Sequence, residues 1–215
     1  MPEYIQIQTY AKCNENNFSI IVQRYRKVLQ QLGCTDQRLL EWLFTLSWPV
    51  SDDDMFGDIY ASPFILSPNN IDDIACAGVH VSLYSYSAIP SIEEQPTWVG
   101  LNLLFDDDTL KSRKTGVYRP GVGGIVWHIM RELISSFSEM GVYLTDEWQE
   151  NRSWRVLTEG EGNPWAFDLA IFPRKLANDF DPTPPQFEGT VLDSAFGFAR
   201  EKRWQILPWI EAEDI

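Results

Sequence analysis

The chain has 215 residues, of which 44% are apolar and 13% aromatic, so it can bury a sizeable core and is not expected to be disordered. Its formal net charge of −14 disfavours binding to nucleic acid or to an anionic membrane. No stretch approaches the roughly 20 apolar residues of a membrane span, and Met1 to Tyr10 lacks the basic start and apolar run of an export signal. Three widely spaced cysteines are typical of free thiols in a reducing compartment, so we expect a cytoplasmic protein.

The negative charge is concentrated in one segment of the chain. Between Arg38 and Lys111 there is no lysine or arginine, and this segment holds twelve of the 31 acids. The other 19 acids are nearly balanced by the 17 bases. A field of one sign steers an oppositely charged partner into encounter. The segment therefore favours a basic partner, although an acidic excess can also serve solubility alone.

In the first part of the chain, the clearest predicted element is a helix. Residues 3–10 alternate polar and apolar side chains and predict an opening strand. Apolar residues recur at three- and four-residue spacing from Phe18 to Leu32, and Gly33 follows them, so a helix is predicted there. Residues 39–47 fit either a buried strand or a short helix.

The acidic segment is predicted to contain loops, one short helix and two strands. Residues 49–70 contain three prolines and a run of aspartates and are predicted to be loop-rich. A short helix is predicted to begin at Asn69 or Asn70 and to end at Gly78. Residues 79–87 and 97–105 predict strands because apolar side chains dominate them.

The last part of the chain opens with a second clear helix. Gly121-Val122-Gly123-Gly124 precedes apolar residues at helical spacing through Phe137. Further elements are predicted as strands at 141–145, 153–158 and 165–172, an irregular stretch after Pro173, a helix near 190–199 and a strand near 203–210. Helices and strands without a βαβ rhythm predict an α+β fold. We expect a single domain, residues 1–215, with a mixed or antiparallel sheet packed against two main amphipathic helices.

No motif predicts a metal or cofactor site. The cysteines form no CxxC pair and there are only two histidines, so a zinc centre is not expected. The run from Asp52 to Gly57 begins like a calcium loop, but Phe56 and Pro63 stand where ligands belong. The glycines from Gly121 to Gly124 are interpreted as a tight turn into the helix, with an anion at the helix N-terminus as the alternative. We therefore predict no metal and no cofactor.

Catalytic arrangements have weak support. Cys34 or Cys76 could pair with His80 or His128, although a cysteine is more often a buried apolar residue. Glycosidase chemistry needs only two carboxylates, which four glutamates could supply: Glu93, Glu94, Glu147 and Glu150. We predict that the chain is not an enzyme. A carboxylate-based hydrolase and a non-catalytic structural or adaptor protein remain as alternatives.

Eight of the nine tryptophans fall into two groups. Those in apolar runs are predicted to lie in the core: Trp42, Trp98, Trp127, Trp165 and Trp204. Trp48, Trp148 and Trp154 have polar or turn neighbours. Two or three of the nine are expected to be partly exposed, where a large rigid ring makes a good interface anchor.

The organisation of the chain resembles a bacterial protein family. The features in question are the helix from Phe18 to Leu32, the tryptophan-bearing run from Leu39 to Trp48 and the segment from Gly121 to Trp127. Together they are similar to immunity proteins of polymorphic toxin systems, in particular those paired with restriction-endonuclease-like toxins delivered by type VI secretion. The resemblance extends over most of the chain. It implies a protein that binds and neutralises a cognate toxic effector.

An acidic surface would suit such a partner. A nuclease must attract phosphate, so its active face is basic, and a field of carboxylates would associate with it rapidly and displace its substrate. We expect steric and electrostatic occlusion without turnover, by a protein that is a monomer or dimer when free. The predicted contact residues are nine acids, with either of two tryptophans as anchor: Asp52, Asp53, Asp54, Asp58, Glu93, Glu94, Asp106, Asp107 and Asp108, with Trp48 or Trp98.

Overall fold

The computed structural model of the chain describes residues 4–48, 57–68, 71–84, 97–160 and 162–213. Its strands are β1 (Tyr4–Cys13), β2 (Gly57–Tyr60), β3 (Phe64–Leu66), β4 (Ile74–Cys76), β5 (Gly78–Tyr84), β6 (Thr97–Asp106), β7 (Val142–Asp146), β8 (Leu169–Pro173), β9 (Phe187–Val191) and β10 (Ala195–Arg200). Its helices are α1 (Phe18–Gln31), α2 (Gln37–Thr45), α3 (Asp107–Leu110), α4 (Val122–Ser136), α5 (Arg152–Glu159) and α6 (Pro208–Glu211). Two 3₁₀ turns span Arg174–Phe180 and Glu201–Arg203.

Eight strands form one antiparallel sheet in the order β2-β5-β6-β1-β7-β8-β10-β9. The long central pair, β1 and β6, is in register from Tyr4 opposite Asp106 to Cys13 opposite Thr97. The short strands β3 and β4 form a separate ribbon. The α+β class and the antiparallel sheet predicted from the sequence are thus confirmed.

One face of the sheet packs against the long helices. Alternate residues of the central strands, such as Ile7, Leu101 and Leu144, belong to a core that also contains the buried sides of α1, α2 and α4. Trp127 of α4 lies so close to Gly197 of β10 that a Cβ atom there would be 2.4 Å from its ring. A side chain at that position would push the helix off the sheet.

The opposite face carries an aromatic cluster. Tyr10, Trp98 and Tyr143 point to this side of the sheet and meet Trp154 of α5 and other aromatic residues. In the first 3₁₀ turn, Phe180 stacks on Phe172 with the ring centroids 4.0 Å apart. Because both faces of the sheet are covered, its strands contain long apolar stretches, where a sheet with one solvated face would alternate strictly.

Most of the predicted elements in the first part of the chain agree with the structure, but the loop-rich prediction for residues 49–70 missed β2 and β3. The strand at 3–10, the helix at 18–32 and the strand at 97–105 correspond to β1, α1 and β6. The predicted strand 79–87 corresponds to β5 as far as Tyr84, and residues 85–87 lie outside the described residues. The ambiguous run 39–47 is helical, since Asp36 caps it by accepting a hydrogen bond from the Leu39 amide at 3.1 Å. The short helix predicted up to Gly78 is wrong, because Ile74–Cys76 is a strand paired with β3.

The last part of the chain was harder to predict. The helix after Gly121 and the strands at 141–145 and 165–172 correspond to α4, β7 and β8. The strand predicted at 153–158 is wrong, since these residues form α5, which ends at Gly160 with a positive φ of 79°. The helix near 190–199 and the strand near 203–210 are also wrong. Those residues form the β9–β10 hairpin, a 3₁₀ turn and the short helix α6.

Within the described ranges, no helix combines the length and the apolar character needed to cross a bilayer.

Candidate functional site

A cavity of about 560 Å³ opens where β7 and β10 end and β8 begins. Six of the side chains that line it are arginines or tryptophans: Arg152, Arg155, Arg200, Arg203, Trp148 and Trp165. We call this cavity the arginine pocket. Its volume is in the range of binding sites for small molecules.

The four arginines come from two parts of the fold. Arg152 and Arg155 are three residues apart in α5 and therefore share one side of that helix. Arg200 ends β10, and Arg203 ends the 3₁₀ turn that follows it. Arg152 and Arg155 are exposed, and among the described residues no carboxylate lies within ion-pair distance of either guanidinium group. These two positive charges are available to a ligand.

A fully buried carboxylate holds the other two arginines. Asp168 Oδ1 lies 3.3 Å from Nε of Arg203 and 3.9 Å from Nε of Arg200, and Asp168 Oδ2 lies 3.2 Å from Nζ of Lys111. Asp168 is 0% exposed and Lys111 is 4% exposed. Asp168 approaches the Nε side of Arg200 at ion-pair distance, and the buried Nε atom itself makes no hydrogen bond among the described residues.

Neutral groups complete the surroundings of Asp168. The Tyr118 hydroxyl donates a hydrogen bond to Asp168 Oδ2 at 3.1 Å, and Gln149 Nε2 donates to Oδ1 at 3.4 Å. Burial, together with the negative charge of Asp168, raises the pKa of Tyr118 well above its ordinary value, so this hydroxyl stays protonated and remains a donor. Trp204 stacks on Tyr118 with centroids 4.0 Å apart and donates its indole N–H to the Asp168 carbonyl oxygen at 3.3 Å. The base of the pocket is therefore fixed.

The two tryptophans of the pocket differ in exposure. Trp165 is 5% exposed and belongs to the aromatic cluster. Trp148, in the turn between β7 and α5, is 69% exposed. An indole ring displayed in this way at a charged cavity provides a flat apolar surface for a ligand ring.

Among the described residues, the acids predicted to contact a partner lie in two separate places. Asp58 lies in the edge strand β2, opposite Val81 of β5. Val81 is paired in turn with Leu101, five residues before Asp106. At about 3.4 Å per residue, Asp58 and Asp106 are therefore roughly 17 Å apart along the strand direction alone. Asp52, Asp53, Asp54, Glu93 and Glu94 lie outside the described residues.

The acids at the end of β6 are partly neutralised by bases that follow them in the chain. Asp107 Oδ1 lies 3.8 Å from Nζ of Lys111, which also pairs with Asp168. Asp108 forms a bidentate ion pair with Arg113. This group of acids thus adjoins the network under the arginine pocket, and its own field is weaker than the sequence segment suggests.

The two predicted anchors differ in accessibility. Trp98 is 5% exposed and contacts Trp154 at 6.3 Å between ring centroids, which confirms the prediction that it lies in the core. An anchor must reach its partner, so this burial disfavours Trp98 in that role. Trp48 is half-buried and packs edge-on against Phe18 with centroids 5.7 Å apart. It is the better candidate of the two.

The cysteines considered for catalysis are separated from His80 by the sheet. Cys34 and Cys76 lie in the core on the helical side of the sheet, and burial raises the pKa of both thiols. His80 points to the opposite face, where its Nε2 atom lies 2.8 Å from the Ser82 hydroxyl, and burial lowers its pKa. The structure places neither cysteine beside His80.

The two described glutamates that were considered for hydrolysis do not line the arginine pocket. Glu147 is exposed and Glu150 is half-buried in the turn before α5. Neither is among the residues that line the arginine pocket. Glu93 and Glu94 lie outside the described part of the chain.

Comparison of the chain with protein-family models, with curated proteins and with solved structures finds no match.

The arginine pocket is not predicted from the sequence. Arg155 lies in the run 153–158, which is predicted as a strand, and Arg152 lies just before that run. In a strand, residues three apart point to opposite faces. Arg200 and Arg203 follow about 45 positions later. Arg200 comes directly after the stretch near 190–199, wrongly predicted as a helix, and Arg203 begins the stretch near 203–210, wrongly predicted as a strand. One sequence signal points to Arg152 and Arg155. Gly160 is typical of the residue that follows a helix, and a helix ending there places both arginines on one side.

Proposed function

We propose that the chain is an immunity protein that binds a cognate toxic effector, a basic nuclease, in the cytoplasm and neutralises it by covering its active face. The observation that carries the proposal is the segment between Arg38 and Lys111, with twelve acids and no base. The family resemblance of the helical and tryptophan-bearing segments supports it. Occlusion by carboxylates needs no catalytic group, and the rate of encounter follows from charge.

The edge of the sheet supports this proposal in a second way. Strand β2 is the outermost strand at one side, and it carries the half-buried Asp58 next to Ile59, which is 52% exposed. An acid beside an exposed apolar side chain matches the composition of many interfaces, in which the charge sets the rate of association and the apolar contact slows dissociation. Asp58 with the acids that precede it is therefore our preferred contact region, ahead of the partly neutralised Asp106 to Asp108.

The test measures association kinetics with the effector. The effector is first identified as a basic protein that is retained by the tagged chain at low salt, is released at high salt and is toxic when expressed alone. We then compare D52K/D53K/D54K with the matched control D179K/E188K/D193K, which makes the same charge change in the balanced part of the chain. The first variant should associate on the order of tenfold more slowly and with a weaker salt dependence.

Equal effects of the two triple variants would show that net charge alone governs association and would overturn the assigned surface. A binding partner whose toxicity is not relieved by co-expression of the chain would overturn the immunity function itself.

A further inference from the structure

The arginine pocket is cationic within an acidic protein. In the whole chain, acids outnumber bases by 14. Yet four arginines line this cavity, whereas its described lining residues include one acid, Asp146. The Asp146 carboxylate is already engaged, since its Oδ1 accepts a hydrogen bond from the Gln149 amide at 3.0 Å. The buried network beneath adds Lys111 to the cations and Asp168 and Asp107 to the acids. Positive charge is therefore in excess where the rest of the molecule would repel an anion.

The arrangement of the guanidinium groups suits phosphate. A guanidinium group presents its donors in a planar fork that matches two oxygens of a phosphate or carboxylate. Arg203 is anchored before a ligand arrives, since its Nε lies 3.3 Å from the Asp168 carboxylate and its Nη1 donates a hydrogen bond to the Gly116 carbonyl oxygen at 3.2 Å. Arg200 lies 3.9 Å from the same carboxylate. Arg152 and Arg155 approach from α5, and no described carboxylate pairs with them. Four donors of this kind from two sides suit a ligand with more than one negative charge.

The tryptophans and the amide groups suit a ring next to that charge. Trp148 lines the cavity and is 69% exposed, and the buried Trp165 is also part of the lining. Asn163 Oδ1 accepts a hydrogen bond from the Trp165 amide at 3.0 Å, which leaves the Asn163 side-chain N–H groups to donate elsewhere. A flat heterocycle could stack on Trp148 while its phosphates meet the arginines.

We propose that the arginine pocket is a binding site for a nucleoside diphosphate or a similar small phosphate ester with a planar ring. The phosphates are bound by Arg152 and Arg155 together with Arg200 and Arg203, and the ring stacks on Trp148. This site does not depend on the proposed immunity function, because its residues lie outside the acidic segment.

Isothermal titration calorimetry of the full chain with ADP tests the proposal. ADP should bind saturably at low salt, pyrophosphate should bind more weakly, and adenosine should not bind. The double variant R152A/R155A should lose roughly tenfold or more in ADP affinity, since each charged hydrogen bond contributes to binding. Its matched control is R38A/R131A, which removes two exposed arginines elsewhere and should leave the affinity near that of the wild type.

A second variant tests the contact with the ring separately from the contacts with the phosphates. W148A should weaken ADP binding by roughly fivefold or more and leave pyrophosphate binding unchanged. Absence of saturable ADP binding at millimolar concentration would overturn the site, as would an equal loss in R38A/R131A. Citrate that binds as tightly as ADP would overturn the assignment to phosphate esters. An equal effect of W148A on ADP and pyrophosphate would overturn the stacking contact.

Discussion

The ammonium group of Lys111 lies 3.2 Å from the carboxylate of Asp168, and both residues are removed from water, at 4% and 0% exposure. Arg200 and Arg203 approach the same carboxylate. A buried charge is costly unless it is paired, so each member of this group depends on the others. The group connects α3 and the segment after it with β8 and β10, and it also orients two arginines of the pocket.

Replacement of Asp168 by Asn should therefore destabilise the protein strongly. The side chain keeps its shape but loses its charge, which leaves Lys111 buried without its closest partner. We expect a decrease in the free energy of unfolding of about 3–5 kcal/mol, measured by urea denaturation at neutral pH. The control D193N changes an exposed aspartate and should shift stability by less than about 0.5 kcal/mol. A loss of the same small size in D168N would contradict the structural role of the network.

The elements that could be predicted from the sequence are those with one buried side or a long apolar run. Helix α1 repeats apolar residues at helical spacing, and β6 is a ten-residue run with apolar dominance. Elements whose identity depends on partners elsewhere could not be predicted. Strand β4 has three residues and exists because β3 lies beside it. Strand β10 alternates phenylalanine with small residues, and one of these, Gly197, is needed only because Trp127 approaches it.

The order of charged residues along the chain can be read from the sequence, but the charge of the folded surface cannot. The absence of bases between Arg38 and Lys111 is plain in the sequence, and so are the bases that follow at once. Their pairing with Asp107 and Asp108 requires the turn after α3, which brings Arg113 back onto Asp108. The arginine pocket requires even more of the fold, since its two pairs of arginines meet only when β7, β8 and β10 are adjacent.

The carboxylate of Glu211 serves as the anion at the N-terminus of α4. Its Oε1 accepts a hydrogen bond from the Gly121 amide at 2.6 Å, and its Oε2 accepts one from the Gly124 amide at 2.9 Å. The sequence left open an anion at the N-terminus of this helix, and in the structure a carboxylate of the chain itself occupies that place. E211Q should lower the free energy of unfolding by about 1–2 kcal/mol, because the charge no longer complements the helix dipole. E213Q, two residues further on and exposed, is the matched control. Equal stability of the two variants in thermal unfolding would argue against the cap.

Replacing a buried tyrosine by phenylalanine should have opposite effects on stability at positions 118 and 25. Tyr118 donates its hydroxyl to Asp168 at 3.1 Å, whereas the buried hydroxyl of Tyr25 has no hydrogen-bond partner among the described residues. Y118F leaves one acceptor of Asp168 unsatisfied and should cost about 1–3 kcal/mol. Y25F removes an unsatisfied polar group and should leave stability unchanged or raise it. Urea denaturation of both variants at neutral pH provides the comparison, and a larger loss in Y25F than in Y118F would contradict these assignments.

Stability should fall in alkali because buried acids resist ionisation in the folded state. Burial raises the pKa of Cys13 from its ordinary 9.0 to about 12, and it raises the pKa of Tyr10, Tyr25 and Tyr143 as well. Between these two pH values the unfolded chain has released the Cys13 proton and the folded chain has kept it. The free energy of unfolding therefore falls as pH rises, by about 1.4 kcal/mol per pH unit for each such proton.

Urea denaturation of the reduced protein from pH 8 to pH 11 measures this slope. C13A and C13S should differ in stability at neutral pH, but both should show a shallower alkaline slope than the wild type. A slope unchanged in both variants would show that the Cys13 thiol ionises equally in the two states.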